Sequence, residues 1–338
     1  MAENTDRVLI LDDYEGLAAR VPAYEKLKAR SRVTVLRRRL GTDEELGRAL
    51  KGVRAALLMR ERTRFGERQL ALAPDLKLIS QTGRGIAHLD LPAATRRGIA
   101  VAVTPNDSGI STVELTFGLI LALLRDIPQI DRRMRSEAWP VAAGHVLEGK
   151  TIGVVGLGRI GKQVARIAKA FNTRVVAAGR TLTDERARQV GAERVTLEEL
   201  LRESDVVTLH VPLNQETRGL IAEKEIELMK PGAYLVNTAR GPIVSEAALI
   251  RALEQGKLGG AGLDVYDEEP LPMEHPFRRL GNVVLLSHRG YAAEEILKER
   301  FELAMENILS FLEGRPVTLL NPEALSPKGS SSGHRPGA

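Results

Sequence analysis

TIGVVGLGRIG, from Thr151 to Gly161, is the stretch that decides the fold. It places the pattern G-x-G-x-x-G at Gly156, Gly158 and Gly161. An apolar run, Thr151–Val155, precedes the pattern, and a helical pattern over 159–171 follows it. Ile160, Val164, Ile167, Ala168 and Phe171 fall on one face of that helix. This strand–turn–helix setting is what a dinucleotide loop requires. Gly156 permits the tight turn. Gly158 lets the backbone approach a pyrophosphate, and Gly161 lets helix and strand pack closely. The helix N-terminus offers N–H donors and positive potential to phosphates. The bland alternative is a glycine-rich turn in a sheet that binds nothing, which the strand–turn–helix setting disfavours.

On both sides of this loop, short apolar runs alternate with helical patterns, the signature of a parallel α/β fold. From Thr151 onward the expected strands are Thr151–Val155, Arg174–Ala178, Val206–Leu209, Ala233–Asn237, 260–264 and Val283–Leu285. Six strands with helices between them match a complete Rossmann sheet. Before it, strands are expected at 8–11, 33–36, 55–58, 77–80 and Ala100–Val103, with helices at 16–30 and Asp43–Leu50. Thr42 and Glu45 have capping-box spacing. Five such strands form a smaller doubly wound domain of flavodoxin type. The expected division is 1–106, 107–290, a helix over 291–322 that returns to the first domain, and a small, polar, disordered tail over 323–338. STVELTFGLILALLR, from Ser111 to Arg125, is too apolar for a surface helix. Ser111 and Glu114 suggest a capping box at its start. It must be covered by a domain or by a second subunit.

Composition narrows the function. The 338 residues suggest two domains or three at about 100–200 residues each. With 43% hydrophobic and 28% charged residues, the chain can bury a core. Zero cysteines exclude thiolate metal sites, iron–sulfur clusters and cysteine nucleophiles, and fit a reducing, cytoplasmic setting. The start, MAENTDR, does not read as a signal peptide. The densest apolar run, LILALL, is far too short for a membrane span. A net charge of +5 suits anionic small molecules, and 4% aromatics leaves too few rings for base stacking, so no nucleic-acid partner is expected. No HExxH or clustered His/Asp spacing points to a metal.

The strand after the glycine loop ends in Gly179, Arg180 and Thr181. An NAD site places a carboxylate there for the ribose 2′-hydroxyl. Glycine stands in its place, and Arg180 can pair with a 2′-phosphate. The reading is NADP, with NAD the alternative. Arg180 as a solvated or adenine-stacking residue is the bland one.

Hydride transfer to a carbonyl needs an anchor for the substrate carboxylate, an acid for the carbonyl oxygen and a partner for that acid. Three segments past strand ends supply them: VNTARG with Arg240, LDVYDEEP with Glu269, and LSHRG with His288. Ligands of open parallel sheets bind outside those carboxyl ends. A carboxylate beside His288 favours the charged imidazole. His88, His145, His210 and His275 read as structural, and Glu268 is the neighbour that competes with Glu269.

From about residue 76 to 321 the chain resembles the D-isomer-specific 2-hydroxyacid dehydrogenases, loosely a glyoxylate/hydroxypyruvate-reductase-like branch. The resemblance rests on the glycine loop, VNTARG, LDVYDEEP and the late SHRG in combination. It implies that the first domain binds substrate. It implies that Arg240 binds the substrate carboxylate and carbonyl, that Glu269 pairs with His288, and that Asp264 holds the nicotinamide carboxamide. It also implies cofactor contacts at Arg159, Ile160, Pro212, Thr217, Ala239 and Gly290. QTGRGIAHLD, from Gln81 to Asp90, resembles the family's carboxylate-binding loop, so Gly83, Arg84 and Gly85 should meet substrate. The family pairs its cofactor domains, which makes Ser111 to Arg125 the expected homodimer interface. Two positions depart from the pattern. Ser287 replaces a proline, which should free the backbone. Arg289 replaces a small apolar residue, and would oppose protonation of His288 or bind a second acidic group on the substrate. Because the family includes corepressors, a non-catalytic dinucleotide sensor is the rival reading.

Overall fold

Two parallel sheets organise the chain in the computed structural model, which describes residues 6–105, 109–136, 139–315 and 317–325. One unit comprises Met1–Asp107 with Glu294–Ala338, the other Ser108–Ala293.

The first unit contains β1 (Arg7–Ile10), β2 (Arg32–Val35), β3 (Val53–Leu58), β4 (Leu78–Gln81) and β5 (Ala100–Val103). Their order is β2-β1-β3-β4-β5, the flavodoxin-type arrangement. β4 is buried along its whole length, as is edge strand β5, which an antiparallel bridge from Ala102 to Leu319 flanks, while the opposite edge strand β2 has only exposed and half-buried residues. Apolar runs suit inner strands because helices cover both faces of a parallel sheet. The helix Glu294–Leu312 packs on this sheet through Leu297, Phe301, Ala304, Met305, Ile308 and Leu309, and Ser80 Oγ donates to Ala304 O at 2.9 Å.

Three expectations need correction here. The helix expected over 16–30 is a 3₁₀ turn, Ala18–Arg20, followed by a helix, Pro22–Lys28. Pro22 has no N–H to continue a helix and therefore starts one. The expected disordered tail begins with a 3₁₀ turn, Pro322–Leu325. Buried Asn321 anchors it to the sheet: its Oδ1 accepts the Val101 N–H at 2.7 Å, and its Nδ2 donates to Ile99 O at 2.9 Å. Residues 326–338 lie outside the described residues. At Thr42, only half of the expected box forms. Thr42 caps the Glu45 N–H at 3.2 Å, but the Glu45 carboxylate turns to the Gly41 N–H instead.

The second unit holds β6 (Thr151–Val155), β7 (Arg174–Ala178), β8 (Glu193–Arg194), β9 (Val206–Leu209), β10 (Ala233–Asn237), β11 (Leu258–Leu263) and β12 (Val283–Leu285). The order β12-β11-β10-β9-β6-β7-β8 is a Rossmann sheet with one strand added at its far edge. The strand missing from the sequence reading is β8. Its two residues, Glu193 and Arg194, are exposed and leave no apolar run to see.

The apolar helix spans Ile110–Leu124 and starts after Gly109, which has φ +76°. Ser111 therefore lies inside the helix and caps nothing. Its hydroxyl donates to Gly290 O at 2.9 Å. Leu119 and Leu123 press on β11, where glycines make room: a Cβ on Gly262 would stand 3.1 Å from Leu119 Cβ. Val113, Phe117 and Ile120 are buried too. The helix thus finds most of its cover within its own unit, and its apolarity does not require a second subunit. Removing the Leu119 or Leu123 side chain would cost about 2–5 kcal/mol. Among the described residues no helix is long and apolar enough to cross a membrane.

Candidate active site

The glycine loop sits at the carboxyl end of β6. Gly156 has φ +94°, and its N–H donates to Ala178 O at 2.8 Å. A Cβ there would lie 2.8 Å from His210 O. A Cβ on Gly161 would collide with Gly156 O, so only glycine allows this helix to seat against the turn. A Cβ on Gly158 would meet nothing within 4 Å, which leaves the space that a pyrophosphate needs. A cleft of about 860 Å³ opens here. The residues thus fit a dinucleotide. Gly156, Gly158, Arg180, Thr181, Pro212 and Thr217 line the cleft. Arg159 and Ile160 instead abut Gly109, while Ala239, Asp264 and Gly290 lie past the ends of β10, β11 and β12. Arg186, Arg194, His210 and Glu216, which carry no sequence motif, also line the cleft. A histidine just past a strand end was the available signal for His210.

At the far end of the cleft Arg180 is ion-paired with Glu216. Arg186 Nη1 donates to Thr181 O at 2.9 Å, and Arg194 pairs with Asp184 at 3.2 Å. Burial pushes the pKa of His210 from 6.5 down to about 3, and Thr208 Oγ1 stands 3.0 Å from its Nε2.

Past β10 the chain makes a turn built by Asn237. Its Oδ1 accepts the Ala239 N–H at 3.0 Å, and its Nδ2 donates to Arg240 O at 2.9 Å. Arg240 stays exposed, its Nη1 donating to Ala239 O at 2.7 Å. The segment after β11 packs so tightly on this turn that a Cβ at Gly241 would overlap the Tyr266 backbone. That segment delivers Glu269, and Glu269, not Glu268, reaches His288: Oε2 lies 2.7 Å from Nδ1. Glu269 Oε1 accepts the Tyr266 N–H at 3.0 Å. Burial pushes the Glu269 carboxyl up. The hydrogen bond and charge of His288, the Tyr266 N–H and the Arg240 charge outweigh it and hold the carboxyl below its ordinary 4.5.

His288 has φ +56°, a left-handed conformation that a non-glycine residue rarely adopts. Asp264 holds it there. Asp264 O accepts the His288 N–H at 2.8 Å, and its carboxylate accepts the N–H groups of Arg289 at 2.6 Å and Gly290 at 2.7 Å. The absence of proline at Ser287 therefore does not free this backbone, as three hydrogen bonds replace the ring's constraint. Burial pushes the Asp264 carboxyl up in spite of these donors.

Gly83, Arg84 and Gly85 lie in the first unit, past β4. Gly83 has φ +79°, and its N–H is already spent on Thr104 Oγ1 at 2.7 Å. Among the described residues the N–H groups of Arg84 and Gly85 have no acceptor. Gly83 leaves room for Arg60, whose Nη1 would be 2.7 Å from a Cβ there, and Gly85 leaves room for the Glu61 carboxylate. The signal for Arg60 and Glu61 was their place just past β3.

The family "D-isomer specific 2-hydroxyacid dehydrogenase, NAD binding domain" matches residues 117–290. A glyoxylate reductase of Thermococcus litoralis is 43% identical over 264 residues, 75% of this chain and 80% of that protein. One from Pyrococcus furiosus is 41% identical over 292 residues, covering 83% and 86% of the two chains. The crystal structure of a phosphoglycerate oxidoreductase from Vibrio cholerae aligns with TM-score 0.85 and 32% identity, covering 91% of this chain and 99% of that one. A Rossmann sheet with a dinucleotide loop, a carboxylate–histidine pair past its strand ends and these relatives agree. The chain belongs to the D-isomer-specific 2-hydroxyacid dehydrogenases, enzymes that move a hydride between NAD(P)(H) and a 2-hydroxyacid/2-ketoacid pair.

Proposed function

We propose that this enzyme reduces small 2-ketoacids of the glyoxylate and hydroxypyruvate type, with NADPH preferred over NADH. The Glu269–His288 pair carries the reading, with Arg240 on the same sheet edge. Bound nicotinamide supplies the hydride. His288 gives the carbonyl oxygen its proton from Nε2, since Nδ1 is engaged by Glu269. In the reverse direction the neutral ring takes that proton back. Glu269 orients the ring by holding Nδ1. Arg240 pairs with the substrate carboxylate and carbonyl, and in the first unit Arg84 and Gly85 each keep an N–H group open to an anion. Asp264 fixes the His288 segment, and the nicotinamide carboxamide is the contact the resemblance adds.

The NADPH preference rests on Gly179, where no carboxylate opposes a 2′-phosphate, and on Arg180, Thr181 and Arg186 around it. A homodimer is the second part of the proposal. Since the helix Ile110–Leu124 is largely covered, the surface that favours pairing is the stretch beyond it, where Trp139 is 78% exposed and Val141 83%. Large exposed apolar groups in one stretch mark an interface, here with a second copy.

Steady-state NADPH oxidation with glyoxylate, hydroxypyruvate and phenylpyruvate tests the activity. Tight NADP(H) binding without turnover across a wide ketoacid panel would favour the sensor instead. Neither the reductase relatives nor the catalytic edge favours it.

A further inference from the structure

The Glu269–His288 pair is held by side chains that have no role in the reading above. Residues 264–270 leave β11, cross the Arg240 turn and end at Pro270. Two side chains pin this segment. Tyr266 is 6% exposed, and its hydroxyl lies 2.7 Å from Leu286 O and 3.1 Å from Leu263 O. Its own N–H donates to Glu269 Oε1 at 3.0 Å. One residue thereby grips both halves of the pair: the carboxylate through its backbone, and the strand end two residues before His288 through its phenol.

The second pin is Glu246, in the first turn of the helix Glu246–Glu254. Its Oε1 accepts the Asp267 N–H at 2.8 Å, and its Oε2 lies 3.2 Å from His275 Nε2. His275 Nδ1 accepts the Phe277 N–H at 3.3 Å, so Nε2 carries the proton and donates to Glu246. Both side chains are mostly buried, at 18% and 16% exposure. The other charges that act on Asp267 are Arg218 and His275.

We propose that Tyr266 and Glu246 are positioning residues for proton delivery, setting the distance and alignment of Glu269 against His288. The proposal rests on His288 as proton donor. A catalytic group is useful only within a fraction of an ångström of its productive place, and a misplacement of about 1 Å can cost a hundredfold in rate. The segment has no regular secondary structure of its own to supply that precision. Tyr266 and Glu246 supply it.

The test compares Tyr266→Phe, Glu246→Ala and Glu246→Gln with His288→Asn in the full chain. It reads kcat, KM for NADPH, the pH profile of kcat, and melting temperature. Tyr266→Phe keeps the ring and loses only the hydroxyl. It should lower kcat about tenfold, shift the pH profile and leave the NADPH KM within about twofold. Glu246→Ala should do the same. Glu246→Gln keeps an oxygen for the Asp267 N–H and should recover most of the loss. A Tyr266→Phe enzyme that melts earlier, but has unchanged kcat and a superimposable pH profile, overturns the proposal. So does equal loss in Glu246→Gln and Glu246→Ala. If His288→Asn itself keeps wild-type kcat, it is the proton-donor reading that fails.

Discussion

Glu269 Oε2 stands 2.7 Å from His288 Nδ1, although 19 residues separate the two in sequence. The contact exists because β11 and β12 are neighbours and both run out at the same sheet edge. With Nδ1 engaged, Nε2 is the ring atom left for proton exchange. His288→Asn should lower ketoacid reduction by about 10²–10⁴-fold, the range of general acid catalysis. NADPH affinity, read by fluorescence titration, should stay near wild type. Wild-type turnover in this variant would reject the assignment.

Arg240 is exposed at the same edge, with a backbone carbonyl as its hydrogen-bond partner. Arg240→Lys should lower kcat/KM for ketoacids by about 10–100-fold, because an ammonium cannot reproduce a planar two-pronged pairing. The fold should survive, since the Asn237 turn uses the Arg240 backbone and not its guanidinium. Unchanged kinetics would make Arg240 a surface residue only.

Cofactor choice turns on Gly179, Arg180 and Glu216. A charge-assisted hydrogen bond is worth about 1.5–3 kcal/mol, enough for roughly a ten- to hundredfold preference for NADPH. Gly179→Asp with Arg180→Ala should reverse that preference. Glu216 holds the guanidinium that the phosphate needs, so Glu216→Gln should strengthen NADPH use about two- to fivefold, the scale of an exposed ion pair. The measurement is the ratio of kcat/KM for NADPH to that for NADH with one ketoacid. A wild-type enzyme that prefers NADH ends the NADP reading.

Acid should destabilise the enzyme in two windows. His210 has its pKa lowered from 6.5 to about 3, so between those values the unfolded chain takes a proton that the folded one refuses. Its contribution is whole above pH 6.5 and is lost as pH falls toward 3. His210→Gln should therefore flatten the fall in stability by about 1–2 kcal/mol at pH 4.5, less than full linkage because the residue is only half buried. Glu269 has the same sign: its carboxyl is held below 4.5, so its contribution is present above pH 4.5 and lost below it. Denaturant unfolding at a series of pH values measures both, and a parallel pH dependence for wild type and His210→Gln would refute the first.

Sedimentation should find a homodimer at micromolar concentration. Trp139→Ser with Val141→Ser should shift it toward monomer while the cofactor cleft still binds NADPH. A wild-type monomer would count against pairing, and an unaffected dimer would place the interface elsewhere.

What the sequence by itself determined is what neighbouring residues can encode. Among the described residues, apolar runs placed eleven of the twelve strands to within one or two residues. The glycine loop declared its own turn, since Gly156 and Gly161 are demanded by contacts within that strand–turn–helix unit and its adjoining strand. Arg240 and His288 were legible because each lies three residues past an apolar run, and parallel sheets put such positions on one edge; Glu269, six residues past β11, was legible only through the motif that ends at Pro270. Where side chains find their partners was a different matter. The Ser111–Glu114 spacing promised a cap, yet Ser111 bonds Gly290, 179 residues away. Gly83 had its N–H taken by Thr104 on the loop after β5, Tyr266 lay inside LDVYDEEP with nothing there to name the partners of its hydroxyl, and Glu246 lay in no motif. Edge strand β8 was invisible because two exposed residues have no core to signal. Only the tertiary structure settles such choices: a hydrogen bond is satisfied by whichever donor or acceptor the sheet order brings within about 3 Å, and no local pattern encodes that distance.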